Sequence, residues 1–194
     1  INIAGSLRRK KDTIGDIDIL VTSEQPRKIM ERFIHLPQVK EILAEGLTKS
    51  AILTRQDIHV DLRVVDPESF GAALLYFTGS KAHNVRLREM AVKQGLKINE
   101  YGVFQTKDNK KIAGKDEQGI YQTLRLPFIA PELREDRGEF KAAQQNKLPK
   151  LVAMDDIKGD LHIHTNYSDG LNTIEEIIEI ARKKGYHYIA ITDH

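Results

Sequence analysis

Residues 14–21 read IGDIDILV, an apolar strand that carries two carboxylates at alternate positions. Successive side chains of a strand point to opposite faces, so Asp16 and Asp18 share one face and lie about 7 Å apart along the backbone. The isoleucines and the valine between and after them fill the other face. An Asp-x-Asp pair on the wet face of a half-exposed sheet needs no ligand, and taken alone this stretch favours that ordinary explanation.

A second strand, residues 58–65 with the sequence IHVDLRVV, repeats the arrangement and places Asp61 opposite its apolar residues. If the two strands are neighbours, Asp61 converges with Asp16 and Asp18. Three carboxylates this close repel one another unless a cation lies between them. Mg²⁺ binds carboxylate oxygens and leaves positions for substrate phosphates, and two such ions roughly 4 Å apart support in-line displacement at phosphorus.

A glycine turn with a basic cluster lies ten residues upstream of the first aspartates. Gly5 and Ser6, followed by Arg8 and Arg9, offer backbone N–H groups, a hydroxyl and guanidinium groups that suit a triphosphate. The chain has neither a Walker A loop nor a GxGxxG motif. The common alternative phosphate-binding motifs are therefore absent.

The composition is that of a soluble globular protein, with 40% hydrophobic and 30% charged residues. No apolar run approaches 18 residues, so no transmembrane helix is predicted. Cysteine is absent, which excludes disulfides and thiolate metal sites and indicates a reducing cytoplasm. The net charge is only +2, but residues 81–97 carry five cations against one carboxylate. The chain starts without Met and stops at ITDH, so we expect a fragment of a longer protein.

Apolar periodicity and turn residues predict a mixed α and β organisation. The first predicted helix is capped by Ser23 and has Pro26 in its first turn. A short second helix is predicted at 38–43, and two more at 68–77 and 80–94. The predicted strands are those at 15–22, 51–55 and 58–65, with shorter β segments between 97 and 105. Residues 106–119 and 126–137 are polar or proline-containing and are read as irregular, and residues 138–150 as a linker.

A second ligand pattern lies near the end of the chain. Residues 160–165 form a strand with His162 and His164 on one face, a helix follows at 172–184, and the next strand ends in Asp193 and His194. A strand, a helix and a strand at this spacing predict a parallel βαβ unit, whose strands end at the same sheet edge. Imidazoles beside one another at that edge indicate a Zn²⁺ or Mn²⁺ site.

Five ordered motifs resemble the palm and thumb of the family X DNA polymerases over about residues 1–135. The motifs are GSLRR at 5–9, GDID at 15–18, HVDLR at 59–63, YFTGS at 76–80 and NEY at 99–101. The resemblance implies that Asp16, Asp18 and Asp61 hold two catalytic ions, Mg²⁺ or Mn²⁺. It also implies that Asp61 assists deprotonation of the primer 3′-hydroxyl.

The resemblance assigns roles in binding the incoming deoxynucleoside triphosphate and the DNA. The residues implied for the phosphates are Gly5, Ser6, Arg9 and Gly15. Those implied for the sugar and base are Tyr76, Phe77 and Gly79, with Asn84 at the base edge in the minor groove. Arg88 is implied to contact the template strand.

Residues of about 155–194 resemble the opening of a PHP domain, a polymerase-associated phosphoesterase fold with a distorted (β/α)₇ barrel and a trinuclear metal site. His162 and His164 match its first metal motif, and Asp193 and His194 its second. The later motifs are absent, so we expect this chain to lack a complete trinuclear site. The order of the two parts is similar to the prokaryotic family X polymerases, whose PHP part acts as a 3′–5′ exonuclease or end-processing phosphoesterase.

These observations predict an α+β fold in four parts. The parts are a nucleotidyltransferase palm sheet with helices at 1–65, a small α/β thumb at 66–135, a linker at 136–154, and a truncated βαβ start of a PHP barrel at 155–194. The predicted reaction is templated nucleotidyl transfer in gap filling. The predicted partners are primer-template or gapped DNA and a deoxynucleoside triphosphate, and no membrane association is expected. The protein is predicted to be a monomer that lies in the cytoplasm and associates with the nucleoid.

Three alternatives stay open. A nucleotidyltransferase acting on a small acceptor or an RNA end shares the GS and Asp-x-Asp motifs, but does not need YFTGS and its basic successor. A PHP phosphoesterase with a non-catalytic nucleic-acid-binding module leaves the three convergent aspartates unexplained. A metal-free DNA-binding scaffold fails on the same point.

Overall fold

The computed structural model describes all residues, Ile1–His194, and the chain divides into two compact units, Ile1–Leu148 and Pro149–His194. The first unit contains a five-stranded sheet. Its strands, in spatial order, are β1 (Asn2–Ile3), β2 (Asp16–Thr22), β5 (His59–Val65), β4 (Lys49–Thr54) and β3 (Val39–Ala44). β2 and β5 are parallel neighbours and the other pairs are antiparallel. The predicted adjacency of the two aspartate-bearing strands is confirmed.

The apolar face of this sheet is covered by helix α2 (Pro26–Ile34), the first helix predicted from the sequence. The residues that form the resulting core are Met30, Phe33, Ile34, Ile52, Val60, Leu62 and Val64, with Ile17, Ile19 and Val21 packed against them. Strand alternation then leaves the aspartates on the opposite face. The core on one face thus determines which side of the sheet carries the carboxylates.

The short helix predicted at 38–43 is wrong, because Val39–Ala44 form strand β3 at the sheet edge. Val39, Ile42 and Leu43 have the i, i+3, i+4 spacing of a helix face. Ile42 instead pairs with Ile52 of β4. Ladder hydrogen bonds to β4 therefore outweigh the local spacing.

The rest of the first unit is mainly helical. Its remaining elements are α1 (Gly5–Arg8), α3 (Phe70–Thr78), α4 (Lys81–Lys93), β6 (Leu96–Asn99), β7 (Gly102–Gln105), β8 (Lys111–Ala113), α5 (Glu117–Thr123) and α6 (Glu139–Gln144). The predicted N-cap of α4 is confirmed, since Ser80 Oγ accepts from His83 N at 3.3 Å. β8 and α5 were not predicted. None of the helices combines the length and the apolar character that crossing a membrane requires.

The linker predicted at 136–154 is wrong over its first half. Helix α6 lies within it, and Phe140 and Ala143 are 5% and 1% exposed in a core shared with Leu87 and Tyr121. The sequence GEFKAAQQNK is mostly polar, and Phe140 and Ala143 are its only residues in this core. Its composition therefore does not indicate that the segment is packed. The first compact unit therefore extends to Leu148.

The second unit is a parallel βαβ arrangement, as predicted. It consists of β9 (Gly159–Ile163), α7 (Ile174–Lys183) and β10 (Tyr188–Ile191). Thr173 Oγ1 accepts from Glu176 N at 3.3 Å, and the Glu176 carboxylate accepts from Thr173 N at 2.9 Å, which completes a capping box. Ile177 and Ala181 form the buried stripe of α7, each 9% exposed.

Candidate functional site

The parallel pairing of β2 and β5 brings the three predicted aspartates together on one sheet face. Asp18 lies opposite Asp61 in the register, and Asp16 is two residues away from Asp18 on the same face. Burial raises the pKa of Asp18, and the negative charges of Asp16 and Asp61 raise it further. The positive charges of Arg63 and Lys49 lower the pKa of Asp18, but the pKa stays above its usual value. The site is therefore short of positive charge.

Asp61 has a buried oxygen that makes no hydrogen bond within the protein. Its Oδ1 is buried and accepts no hydrogen bond. The ammonium of Lys49 lies 3.4 Å away but is 46% exposed and makes only an ion pair. A buried carboxylate oxygen without a hydrogen bond is costly, and a divalent cation bound to oxygen ligands removes that cost. The chemistry of this donor set suits a divalent cation, and its binding by Asp16, Asp18 and Asp61 stays a prediction.

Gly5 lies directly against this carboxylate site. Its φ of +63° is in the left-handed region, and an added Cβ would come within 2.3 Å of Asp18 Oδ2. Glycine is thus required here both by the backbone and by the close approach. Ser6 follows at the start of α1, half-buried, whereas Gly15 is exposed at the start of β2 with open space around it. The GS turn and the aspartates form one continuous surface.

Arg9 connects the GS turn to the end of α3. Its Nη1 donates to the Thr78 carbonyl at 2.5 Å, and its Nε donates to Glu135 at 2.8 Å. Gly79, with φ of +71°, would place an added Cβ 3.2 Å from Arg9 Nη1. The structure therefore brings together Arg9 and Gly79, two residues that the family resemblance assigns to different parts of a bound nucleotide.

The aromatic pair and the basic helix α4 also lie together. The rings of Tyr76 and Phe77 have centroids 5.1 Å apart in an edge-to-face arrangement. Asn84 Nδ2 donates to the Tyr76 carbonyl at 2.7 Å, and Arg88 Nε donates to the Asn84 carbonyl at 3.2 Å. The Arg63 guanidinium lies over the Phe77 ring, 4.3 Å from its centroid. These contacts link the aromatic pair to both α4 and the strand that carries Asp61.

The second candidate site lies at the carboxyl ends of β9 and β10. His162 and His164 stack with ring centroids 5.0 Å apart, and their Nε2 atoms are separated by 3.1 Å. Ligand atoms of His164, His194 and Asp169 all lie within 4.8 Å of one another. The sequence reasoning missed Asp169, although the turn Ser168-Asp-Gly170 five residues after the histidine pair signals it. Two imidazoles and a carboxylate at this spacing fit a transition metal.

Asp193 occupies a different environment from the other predicted ligands. It accepts from Thr165 N at 2.6 Å, from Thr165 Oγ1 at 2.5 Å and from Ser168 Oγ at 2.6 Å. These hydrogen bonds lower its pKa. The carboxylate fixes the loop that follows β9, and it is not part of the cluster around His164. Its role as a metal ligand stays a prediction.

Family comparisons agree with this division of the chain. Residues 1–73 match the DNA polymerase beta palm, residues 73–135 the DNA polymerase beta thumb, and residues 160–194 the PHP domain.

The chain belongs to family X of the DNA polymerases.

Relatives within and beyond bacteria support this assignment. The chain is 38% identical over 193 residues to the DNA polymerase/3′-5′ exonuclease PolX of Bacillus subtilis, covering 98% of this chain and 34% of that protein. It is 26% identical to DNA polymerase lambda of Rattus norvegicus, covering 68% of this chain and 28% of the relative. The chain thus spans about a third of the length of these curated relatives. The polymerase beta of Leishmania infantum, solved as a ternary P/T complex, has a TM-score of 0.60 and 26% identity, covering 69% of this chain and 66% of that one.

Polymerases of this family and PHP domains use divalent metal ions.

Sequence reasoning missed a buried ion-pair network that joins the palm to the thumb. Arg134 is fully buried and donates to Glu117 at 2.6 Å, while Arg8 donates to both Glu117 oxygens at 2.8 and 2.7 Å. Burial alone would raise the pKa of Glu117, but hydrogen bonds and charge from Arg8 and Arg134 hold it below its usual value. Arg8 also donates to Thr78 Oγ1 at 2.7 Å. The network therefore fixes α1 against the end of α3.

A second buried network holds helix α4 of the thumb. His83, fully buried, has Nδ1 2.8 Å from Glu139 and Nε2 2.9 Å from the Tyr121 hydroxyl. A neutral imidazole that donates to the carboxylate and accepts from the hydroxyl satisfies both contacts. Burial lowers the pKa of His83, in agreement with that state. No local sequence signal marks this contact, because its partners are 38 and 56 residues away.

Proposed function

We propose that the first unit catalyses template-directed transfer of a deoxynucleotide to a primer 3′-hydroxyl, in the filling of short DNA gaps during repair. The observation that carries this proposal is the convergence of Asp16, Asp18 and Asp61 on one face of the sheet. The raised pKa of Asp18 and the Asp61 oxygen that makes no hydrogen bond support their use as ligands of divalent cations. Mg²⁺ or Mn²⁺ bound there would activate the attacking oxygen and neutralise charge on the leaving pyrophosphate.

The protein groups contribute proton transfer and orientation. Asp61 Oδ1 has a free lone pair and accepts the proton of the primer 3′-hydroxyl. Ser6, Arg9 and Gly15, with the backbone of Gly5, orient the triphosphate. Orientation matters because a reacting oxygen held in line with the leaving group avoids much of the entropic cost of reaction.

The helix pair α3 and α4 recognises the base pair and the DNA. Tyr76, Phe77 and Gly79 contact the sugar and base, and Asn84 reaches the base edge. Arg88 and the other cations of α4 meet the template backbone, whose phosphates supply a strong, salt-dependent attraction. The likeness to a polymerase beta solved as a ternary P/T complex supports a DNA partner.

A nucleotidyltransferase with a small or RNA acceptor is the competing proposal. A full-length protein that contains this chain is given labelled deoxynucleotides with a one-nucleotide gapped duplex, with the same primer unpaired, and with an RNA 3′-end. We expect incorporation of the complementary nucleotide on the gapped duplex alone. Equal incorporation on the unpaired or RNA end would contradict a templated DNA reaction.

A second function is supported by a separate observation, the cluster of His164, Asp169 and His194, with His162 stacked against His164. We infer that the second unit contributes part of a Zn²⁺ or Mn²⁺ site for a phosphoesterase that trims DNA 3′-ends. The exonuclease named in the Bacillus subtilis relative supports this activity. Removal of 3′-nucleotides that requires Mn²⁺ or Zn²⁺ and disappears in His164→Ala is the expected result, and trimming that persists in this variant would contradict it. A monomeric state and a cytoplasmic location stay predictions.

A further inference from the structure

Acidic side chains at the end of the thumb lie against Arg9, which we assign to the triphosphate, and against the two lysines that follow it. Arg9 Nε lies 2.8 Å from Glu135 Oε1, and Lys11 lies 3.7 Å from the same oxygen. Lys10 lies 3.1 Å from Glu132. Three consecutive cations therefore face two carboxylates.

Glu135 is held in place by the backbone on both sides. Before it, the carbonyl of the fully buried Arg134 accepts from Ser80 N at 3.0 Å. After it, Asp136 N and Arg137 N each donate to the Glu139 carboxylate at 2.8 Å. Glu135 itself is 20% exposed and Arg9 14%. This ion pair is thus formed by an ordered segment and has little conformational entropy to lose, unlike most surface pairs.

Arg9 does not depend on Glu135 for its position. Its Nη1 donates to the Thr78 carbonyl at 2.5 Å and packs against Gly79. Loss of the carboxylate therefore leaves the guanidinium at the nucleotide site with its charge no longer neutralised. Carboxylate and phosphate oxygens use the same guanidinium donors, so the two groups compete for Arg9.

We propose that Glu135 is a built-in competitor of the triphosphate, which a nucleotide must displace from Arg9 and Lys11 on binding. This inference rests on the proposed role of Arg9 in holding phosphate. Glu135 lowers the affinity for the nucleotide and, by the same exchange, returns to Arg9 as pyrophosphate leaves. It therefore tunes both entry of the substrate and release of the product.

The test compares wild type with Glu135→Gln, which keeps the shape of the side chain and removes its charge. Calorimetric titration of the full-length protein with inorganic tripolyphosphate is the primary measurement. We expect binding to be roughly three- to tenfold tighter in Glu135→Gln, with a similar decrease in the KM for a deoxynucleotide on gapped DNA. The difference shrinks at high salt, because screening weakens the Arg9–Glu135 pair.

Two further variants control the result. Glu89→Gln removes an exposed charge paired with Arg86 on α4 and is expected to leave tripolyphosphate affinity unchanged. Arg9→Gln weakens tripolyphosphate binding and abolishes the effect of Glu135→Gln in the double variant.

Unchanged or weaker binding in Glu135→Gln, with Arg9→Gln impaired, overturns the inference alone. Normal binding in Arg9→Gln overturns both the inference and the assigned role of Arg9. Tripolyphosphate binding without nucleotide incorporation contradicts the proposed polymerase function and leaves the inference standing.

Discussion

The two candidate metal sites use the same placement of ligands but differ in what supports them. Both set two ligands at alternate positions of a strand, Asp16 and Asp18 in one, His162 and His164 in the other. The carboxylates lie on the central strands of a five-stranded sheet whose other face is covered by α2. The imidazoles lie at the end of a two-stranded sheet, where Leu161, the residue just before His162, is 66% exposed. A short motif can thus set the type of ligand, while the covering of the opposite face sets how firmly it is held.

The two units also differ in their buried charges. In the first unit Arg134 is fully buried with Glu117 and Arg8. In the second unit the pair between Lys150 and Asp156 is largely exposed on the lysine side. Buried pairs make a fold dependent on each partner, because removal of one leaves an uncompensated charge.

The largest effect on stability is expected from Glu117→Ala. This change leaves the guanidiniums of Arg8 and Arg134 without their carboxylate inside the protein, and we expect it to destabilise the first unit by about 3–5 kcal/mol. Urea denaturation followed by circular dichroism measures the change. A loss below about 1 kcal/mol would show that the network contributes little to stability.

The next prediction compares backbone protection in the two sheets by amide hydrogen exchange. We expect the amides of β5 to exchange at least about a hundredfold more slowly than those of β9, since opening of a strand becomes rarer as its buried contacts increase. Mass spectrometry of peptides from the 194-residue chain, read at matched pH, checks this difference. Equal protection of the two strands would contradict the comparison of their support.

Acid is expected to destabilise the first unit in two steps. His83 has a lowered pKa because it is buried, so below about pH 6.5 the unfolded chain binds a proton that the folded chain does not, and stability falls as pH falls. The groups that face His83 are Glu139, Asp136, Arg134 and the Tyr121 hydroxyl. Below about pH 4.5 the lowered pKa values of Glu117 and Glu139 add a second loss in the same direction.

Denaturation midpoints measured between pH 4 and 8 test this prediction, with His83→Gln as the matched variant. Glutamine retains hydrogen-bonding capacity but does not titrate, so the slope below about pH 6.5 should flatten. A slope that stays the same in His83→Gln would show that another group controls the acid sensitivity.

The smallest effect is expected for the exposed pair of α4. Arg86 and Glu89 are 50% and 53% exposed at a distance of 3.1 Å. Solvent screening and side-chain entropy leave such a pair worth less than about 0.5 kcal/mol, so Glu89→Gln should be nearly neutral in the same urea assay. A loss comparable with that of Glu117→Ala would remove the distinction between buried and exposed pairs.

Local patterns predicted the elements that are stabilised locally. Strand alternation predicted the shared face of Asp16 and Asp18, and the capping residues Ser80 and Thr173 marked the starts of α4 and α7. Each of these signals depends on residues a few positions apart, which the chain order itself provides.

Elements that depend on distant partners were missed. Val39–Ala44 has helical spacing and becomes a strand because β4 is available to pair with it. Glu139 and Arg134 are polar in sequence and buried in the fold, since each finds an opposite charge or a hydrogen-bond partner far along the chain. At the second site the sequence reasoning overlooked Asp169. It also did not anticipate that Asp193 accepts hydrogen bonds from Thr165 and Ser168, because those bonds depend on the conformation of a loop.

The most direct test of the account measures two reactions on two variants of the full-length protein. Gap filling and 3′ trimming are assayed side by side in Asp61→Asn and His162→Ala. We predict that Asp61→Asn lowers gap filling by about a hundredfold or more and spares trimming, while His162→Ala abolishes trimming and spares gap filling. Normal gap filling in Asp61→Asn, or loss of both reactions in each variant, would contradict the assignment of nucleotidyl transfer to the three carboxylates.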